Sequence, residues 1–369
     1  MPAGKHSAAL GAVAGMSLPT AGTQVTDAVQ SSSPLLRTGG AVAAEGVDAG
    51  TAWHYGDPVR EQRQLERGEA VVDLSHRGVV TVSGPDRLTW LDTLSTQWLR
   101  DLPPGVASEA LILSPHGHVE NALHVVDDGE VAWITVEPGA ATALVAHLQR
   151  MRFMLRVEIE DRTADWAVLA ETCGTPSGSA AGRVVWLDPW PTTAPDGVRY
   201  APVDDDAHPG AGRVWREVLV PRGELVDAVA GRPLAGTWAA DALRVAAWRP
   251  RFGVETDHRS LPHEVDWLRS AVHLRKGCYR GQETVARVHN LGRPPRRLVM
   301  LHLDGSGHVL PAAGEPVLNG DRPVGLLTTV ARHHELGPVA LAVIKRSTPL
   351  DAPLRIGATA ASQEVVVAP

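Results

Sequence analysis

Residues 71–94 carry the stretch VVDLSHRGVVTVSGPDRLTWLDTL, whose pattern predicts two strands, a turn and a helix. The two β-branched runs on either side of SHRG favour strands, because β-branched side chains fit a pleated, half-buried surface. After the break SGPD, leucines recur at helical spacing at Leu88, Leu91 and Leu94. The stretch therefore predicts a compact unit in which strands lead directly into a short helix.

The chain that follows this unit continues the same kind of pattern. Further β-like runs follow at residues 110–113, 119–126, 131–136, 155–159, 166–170, 184–187 and 214–220. A helix is predicted from Pro138 toward Arg150, and turn-forming sequences separate the runs. This order predicts an α+β fold built on antiparallel sheets. Beyond Arg296, short β-rich runs with Gly and Pro turns predict a small C-terminal β-barrel.

The length and the composition predict four segments. A chain of 369 residues exceeds what one core usually supports, so several packed domains are expected. Residues 1–47 are rich in Ala, Gly and Ser and predict a disordered extension, such as a start codon placed too far upstream would add. The alternative is a signal peptide. Residues 48–150 and 151–295 are predicted to form two packed subdomains, and residues 296–369 the barrel.

The charge and the cysteine content exclude several classes of function. The formal net charge of −7 offers no broad positive field for nucleic acid. Two cysteines cannot form a disulfide framework, and no stretch reaches the ~20 apolar residues that a membrane helix requires. The histidines show no zinc-like spacing with cysteine, so no metal site is predicted. We expect a cytoplasmic monomer that contacts neither nucleic acid nor membrane.

The octapeptide KGCYRGQE, residues 276–283, places Cys278 among cations and glycines. Arg275, Lys276 and Arg280 would favour the thiolate of Cys278, so the sequence predicts a reactive, partly exposed thiol with a lowered pKa. The alternative is a small buried hydrophobe, which is the interpretation preferred for Cys173. The neighbouring motif positions are expected to support the thiol: Lys276, Gly277, Tyr279, Arg280, Gly281, Gln282 and Glu283.

A second polar segment, WRPRFGVETDHRSLPHEVDW at residues 248–267, combines carboxylates, arginines and aromatic residues. A pterin ring needs such partners, because a carboxylate can accept its paired donors while aromatic side chains cover its faces. The alternative is a solvated loop with ordinary surface ion pairs.

The KGCYRGQE motif closely resembles the signature of the YgfZ folate-binding proteins, and residues 71–94 resemble the corresponding part of the glycine-cleavage T-protein superfamily. The likeness covers about residues 53–346, including barrel-like stretches after Arg296. It implies three domains around a central hole that receives tetrahydrofolate. It also implies a role in assembling or repairing iron–sulfur clusters of client enzymes, among them tRNA-modifying enzymes, in which the motif cysteine is central. The folate contacts expected on this basis are Arg244, Trp248, Glu255, Asp257, Glu120 and Asn121.

Two departures from the T-protein pattern weaken aminomethyl transfer. Its arginine-x-glutamate corresponds here to Arg244, Val245 and Ala246, and the position of its catalytic aspartate corresponds to Glu120 and Asn121. Three functions therefore stay open: an iron–sulfur accessory factor, a folate-dependent one-carbon transferase, and a folate-binding module without chemistry. Cys278 could ligate iron, exchange with a thiol or attack a one-carbon unit.

Overall fold

The computed structural model describes residues 32–173, 182–306 and 309–369. Its α-helices are α1 Pro58–Glu66, α2 Arg87–Leu94, α3 Ala141–Met151, α4 Leu225–Ala228, α5 Thr237–Ala246 and α6 Gln282–Leu291. Its strands are β1 Val42–Ala43, β2 Ala52–His54, β3 Val71–Asp73, β4 Gly78–Ser83, β5 Ala107–Leu113, β6 Val119–Asp127, β7 Val131–Val136, β8 Glu158–Asp161, β9 Trp166–Thr172, β10 Val185–Leu187, β11 Trp215–Pro221, β12 Leu234–Ala235, β13 Arg296–Leu303, β14 Pro316–Asn319, β15 Arg322–His333, β16 Gly337–Lys345, β17 Leu354–Ile356 and β18 Thr359–Val365. Short 3-10 helices lie at Pro34–Arg37, Gly46–Asp48, Asp205–Ala207, Pro209–Gly212, Arg222–Glu224 and Pro262–Val265.

Sheet 1 contains five antiparallel strands in the order β5-β6-β7-β4-β8. Side chains that alternate along these strands, among them Leu123 and Ile134, pack against Leu91 of α2 and Leu144 of α3. This burial explains why the leucines of α2 recur at helical spacing. The strands and the helix predicted within residues 71–94 are confirmed as β3, β4 and α2.

Sheet 2 has the strand order β10-β11-β9-β3-β12, in which only the β12–β3 pair is parallel. Leu65 of α1 and Leu243 of α5 pack with Val72, Val168 and Trp186 in one buried cluster. Because β3 belongs to sheet 2 and β4 to sheet 1, the turn SHRG carries the chain from one sheet to the other.

The predicted C-terminal barrel is confirmed, with six strands closed in the order β13-β16-β15-β14-β17-β18. Alternate residues such as Leu301 and Val317 fill its interior. Leu298 and Leu341 belong instead to a cluster with Trp267 and Tyr279, which lie in the long irregular region before α6. The α+β fold class is thereby confirmed, and the barrel supports the segment that carries the KGCYRGQE motif.

Ordered structure begins earlier than the predicted boundary at residue 47. Pro34–Arg37 forms a 3-10 helix with Leu35 buried, and β1 pairs with β2. Asp48 is buried against Arg251. The prediction of disorder is therefore wrong for residues 32–47, because long-range contacts stabilise a segment of weak local propensity. The rest of the predicted extension, residues 1–31, lies outside the described residues.

The predicted subdomain boundary at residues 150 and 151 does not match the sheets. β8 at Glu158–Asp161 pairs with β4, so sheet 1 continues past residue 150 before the chain enters sheet 2. Across the described ranges, no helix combines the length and the apolar character needed to cross a membrane.

Candidate functional site

Cys278 is exposed in the irregular stretch that precedes α6. The thiol opens onto a shallow pocket that it shares with Leu94, His147, Met151 and Arg280. The other cysteine, Cys173, is half-buried, and its thiol lies 3.6 Å from the carbonyl oxygen of Val214. The structure therefore presents Cys278 to solvent and keeps Cys173 against the backbone.

The three cations expected around the thiol all bind oxygen partners. The Lys276 Nζ donates to the carbonyl oxygens of Asp92 at 2.5 Å, Ser95 at 2.8 Å and Gln97 at 2.6 Å. Arg275 pairs with Asp196, and Arg280 pairs with Glu120 at 3.0 Å. Each of the three charges therefore already has an oxygen partner, and their effect on the Cys278 thiol stays a prediction.

Lys276 is a buried anchor for the motif. Its ammonium group also lies 3.3 Å from Asp92 Oδ1 and 5.7 Å from the centre of the Tyr279 ring. Burial lowers the pKa of Lys276 to about 8, although Asp92 opposes the change. Three carbonyl acceptors satisfy the three donors of an ammonium group. Lys276 thus fastens the Cys278 loop to the chain that follows α2.

The remaining motif residues have mixed roles. Tyr279 is buried in the cluster beneath the barrel, and burial raises the pKa of its hydroxyl. Gln282 donates to the carbonyl oxygen of Lys276 at 3.4 Å, which links the first turn of α6 to the loop. Glu283 is exposed. The motif residues therefore fix the loop to the rest of the fold as well as surround the thiol.

The two motif glycines differ in what their backbone requires. Gly281 has φ +85° and lies where a Cβ atom would come within 2.6 Å of the Ser114 carbonyl oxygen. Gly277 has no positive φ, and a Cβ there would meet no atom within 4 Å. The backbone therefore requires glycine at Gly281 and not at Gly277.

Gly281→Ala is expected to lower the free energy of unfolding by about 1–3 kcal/mol, because alanine would be strained at this φ and would meet backbone. Gly277→Ala is the matched control and should change it by less than about 0.5 kcal/mol. Chemical denaturation of the two variants checks this. Equal stabilities would contradict the close approach at Gly281.

A second site is a central cavity between the two sheets, bounded by α5 and by the segment after it. Arg249, Pro250, Arg251 and Phe252 line it, so part of the predicted polar segment reaches it. The other lining residues that matter most are Arg77, His124, Trp186, Arg213, Glu217 and Asp241.

An aromatic stack and a carboxylate meet in this cavity. The rings of His124 and Trp186 are stacked at 3.6 Å with an interplanar angle of 2°. Glu217 accepts from Arg77 at 2.7 Å and lies 3.0 Å from His124 Nδ1. Although burial acts to raise it, Arg77 and His124 hold the pKa of Glu217 well below its usual range. The cavity thus keeps a charged carboxylate beside flat ring surfaces.

Several buried donors on the cavity wall have no partner among the described residues: Arg77 Nε, Arg213 Nε, Arg249 Nη1 and Trp267 Nε1. Burial, assisted by the nearby Arg249, lowers the pKa of Arg213 to about 10, although Asp188 opposes the change. Buried donors without partners are costly. The arrangement is suited to a ligand that supplies acceptor atoms to these N–H groups.

Two further arginines brace the cavity. Arg249 donates to Glu109 at 2.8 Å and also pairs with Asp188. Arg251 binds Asp48 and Glu137 at 2.8 Å each. These ion pairs join the N-terminal segment, both sheets and the chain after α5, so the charges around the cavity hold its walls together.

Of the predicted folate contacts, only Arg244 lines the cavity. Its guanidinium group binds Asp241, Glu255 and Thr329, all at 2.8 Å. Glu255 is buried, and its oxygens also accept from the backbone of Arg251 and from Thr328. These two residues form a junction between α5 and the barrel, and the Glu255 carboxylate has no face free for a ligand.

The other four predicted contacts lie outside the cavity lining. Trp248 is buried at φ +56° beside His208. Asp257 binds Arg296, whose hydrogen bond lowers the pKa of that carboxyl well below its usual range. Glu120 pairs with Arg280 near the motif, and Asn121 is half-buried on the same strand. These four residues therefore lie outside the cavity lining, and their contact with folate stays a prediction.

The stacked rings and Glu217 were not predicted from the sequence. His124 lies in β6, Trp186 in β10 and Glu217 in β11, each within an ordinary strand pattern. A signal was nevertheless present, because His124 lies between Leu123 and Val125, and Glu217 directly precedes the apolar run at residues 218–220. Buried polar residues in strands require partners, which marks such positions for attention.

Comparison with known proteins supports the same fold. A family model described as "GCVT N-terminal domain" matches residues 5–174. The chain is similar to the aminomethyltransferase of Thermus thermophilus, at 28% identity over 299 residues, covering 74% of this chain and 79% of the relative. It is also similar to the aminomethyltransferase of Rubrobacter xylanophilus, at 29% identity over 343 residues, covering 86% and 87%. Among solved structures, the glycine cleavage system aminomethyltransferase T of Bartonella henselae matches with a TM-score of 0.72 at 16% identity, covering 90% of this chain and 94% of that one.

Proposed function

We propose that this chain belongs to the GcvT/aminomethyltransferase superfamily, binds a reduced folate in its central cavity and supports iron–sulfur client enzymes through Cys278. The observation that carries the folate part is the His124–Trp186 stack beside Glu217. The exposed thiol in the KGCYRGQE loop, with the YgfZ resemblance of that motif, supports the client part.

The cavity offers the groups that tetrahydrofolate requires. Flat rings can cover a pterin face, and a carboxylate can accept from the aminopyrimidine edge. Glu217 already binds Arg77, His124 and Thr135. Each carboxylate oxygen has two acceptor sites, so the oxygen that binds Arg77 keeps one site for a ligand. The unpartnered N–H groups of Arg213 and Arg249 suit the carbonyl and carboxylate oxygens of the same molecule. The bound folate would thus be oriented by this chain's own charges.

Aminomethyl transfer is the second candidate, and the names of the curated relatives favour it. It needs an acid near the folate nitrogens. Glu120, at the expected position, pairs with Arg280 away from the cavity, whereas Asp241 of α5 lines the cavity and binds Arg244. Aminomethyl transfer would therefore require Asp241 to act as this acid, whereas the sequence pattern placed the acid at Glu120. A binding module without chemistry would need neither Asp241 nor Cys278.

His124→Ala is expected to weaken tetrahydrofolate binding at least ~10-fold, because loss of one stacked ring and one charge-assisted contact removes ~1.4 kcal/mol or more. Calorimetric titration under reducing conditions measures the affinity. His302→Ala is the matched control, since His302 also pairs with a glutamate, at 3.0 Å, but on the barrel. It should leave the affinity unchanged.

Thermal melting of both variants establishes that the fold is retained. Two outcomes would remove the folate proposal. One is the absence of heat or competition with any reduced folate. The other is an equal loss of affinity in the two histidine variants.

A further inference from the structure

An exposed apolar turn follows α3 beside the Cys278 pocket. Phe153 is 90% exposed and Met154 is 84% exposed, and Met151 and Leu155 are exposed as well. The Leu155 N–H donates to the Arg152 carbonyl oxygen at 3.1 Å, so Phe153 and Met154 form the tip of a tight turn. Large apolar side chains grouped and exposed in this way mark an interaction site. We call residues 151–155 the apolar turn.

The apolar turn is held in place at both ends. The indole Nε1 of Trp90 donates to the Met151 carbonyl oxygen at 3.2 Å. After the turn, Arg156 binds Asp86 at 2.8 Å. Phe153 has φ +48°, a backbone conformation that a bulky L-residue seldom adopts. Strained residues persist where surrounding structure fixes them and cluster at functional sites. The structure therefore displays Phe153 instead of burying it.

Positive charge flanks the apolar tip. Arg150 and Arg152 are exposed, and neither pairs with a carboxylate in the part of the chain that the structure describes. The whole chain carries a formal net charge of −7, so this local excess of positive charge is opposite in sign to the net charge. An apolar tip with cationic neighbours complements a segment that places acidic side chains beside apolar ones.

The apolar turn is continuous with the thiol site. Met151 lines the same open pocket as Cys278 and His147. We propose that the apolar turn docks a partner polypeptide with an acidic, apolar segment and so brings that partner beside Cys278. This inference rests on the proposed role of Cys278 toward client proteins. An anionic membrane surface is the competing occupant, but the adjoining thiol pocket favours a protein.

The test uses fluorescein-labelled helical peptides and fluorescence anisotropy. One peptide carries leucines on one face and glutamates on the other, a second replaces each glutamate with lysine, and a third replaces each leucine with serine. The wild-type chain should bind the first peptide only. Phe153→Ser/Met154→Ser and Arg150→Glu/Arg152→Glu should each weaken that binding at least ~10-fold, as loss of central contacts does at interfaces. Leu350→Ser, which alters another exposed leucine on the barrel, should leave it unchanged.

The bound peptide should also slow the alkylation of Cys278 by iodoacetamide. Equal binding of the lysine peptide, insensitivity to the two double variants, or unprotected Cys278 would overturn the docking proposal. So would Phe153-dependent sedimentation with phosphatidylserine vesicles in the absence of peptide binding. Peptide binding needs no thiol chemistry, so its result is independent of whether Cys278 serves iron–sulfur clients.

Discussion

Cys278→Ser is expected to leave a gene-deletion strain as deficient in iron–sulfur enzyme activity as the strain without the gene, whereas the wild-type gene restores that activity. A hydroxyl cannot replace a thiolate as a soft iron ligand or as a partner in thiol exchange. The measurement is the activity of iron–sulfur enzymes in extracts of cells grown under oxidative stress, with the level of each variant checked by immunoblot.

Cys173→Ser is the matched control, because the Cys173 thiol is half-buried against the Val214 carbonyl oxygen. It should restore the enzymes as well as the wild type does. Full restoration by Cys278→Ser at an equal protein level would refute the thiol role. If the purified Cys278→Ser chain also transferred an aminomethyl unit to tetrahydrofolate at the wild-type rate, aminomethyl transfer would replace the iron–sulfur role as the proposed function.

The order of strands and helix at residues 71–94 was predictable from the local sequence pattern. The leucine spacing of α2 and the strand runs of the barrel reflect which side each residue buries, and burial is visible in a single sequence as periodicity. The residue at which ordered structure begins was not predictable in this way. Residues 32–48 have weak local propensity and are stabilised by partners such as Arg251, 203 positions away from Asp48.

The residues that form the central cavity were not predictable from the sequence for a different reason. Its stacked rings and its carboxylate come from strands of two sheets, and no local sequence window contains more than one of them. Residues that are close in sequence bind separate partners, as Glu255 binds Arg244 while Asp257 binds Arg296. The motif around Cys278 was identified from its composition, whereas the oxygen partners of its cations come from distant parts of the chain.

Lys276→Met is expected to lower the free energy of unfolding by about 3–5 kcal/mol, as loss of one partner from a buried charged pair typically does. Three carbonyl oxygens, from Asp92, Ser95 and Gln97, would lose their donor, and the Asp92 carboxylate would lose a cation. Arg275→Met is the matched control, because the Arg275 side chain is 81% exposed and its ion pair should contribute at most ~1 kcal/mol. Urea denaturation of both variants measures the difference.

The pH dependence gives an independent check on Lys276. Folding lowers its pKa from 10.5 to about 8. Between these values the folded chain has released a proton that the unfolded chain still binds, so the contribution of Lys276 to the unfolding free energy rises with pH across that window. Below about pH 8 the residue is protonated in both states and adds no slope. The stability gap between the wild type and Lys276→Met should therefore widen from pH 8 to pH 10.5. Unchanged stability of Lys276→Met, together with slower alkylation of Cys278 at neutral pH, would instead show that Lys276 acts on the thiol and not on the fold.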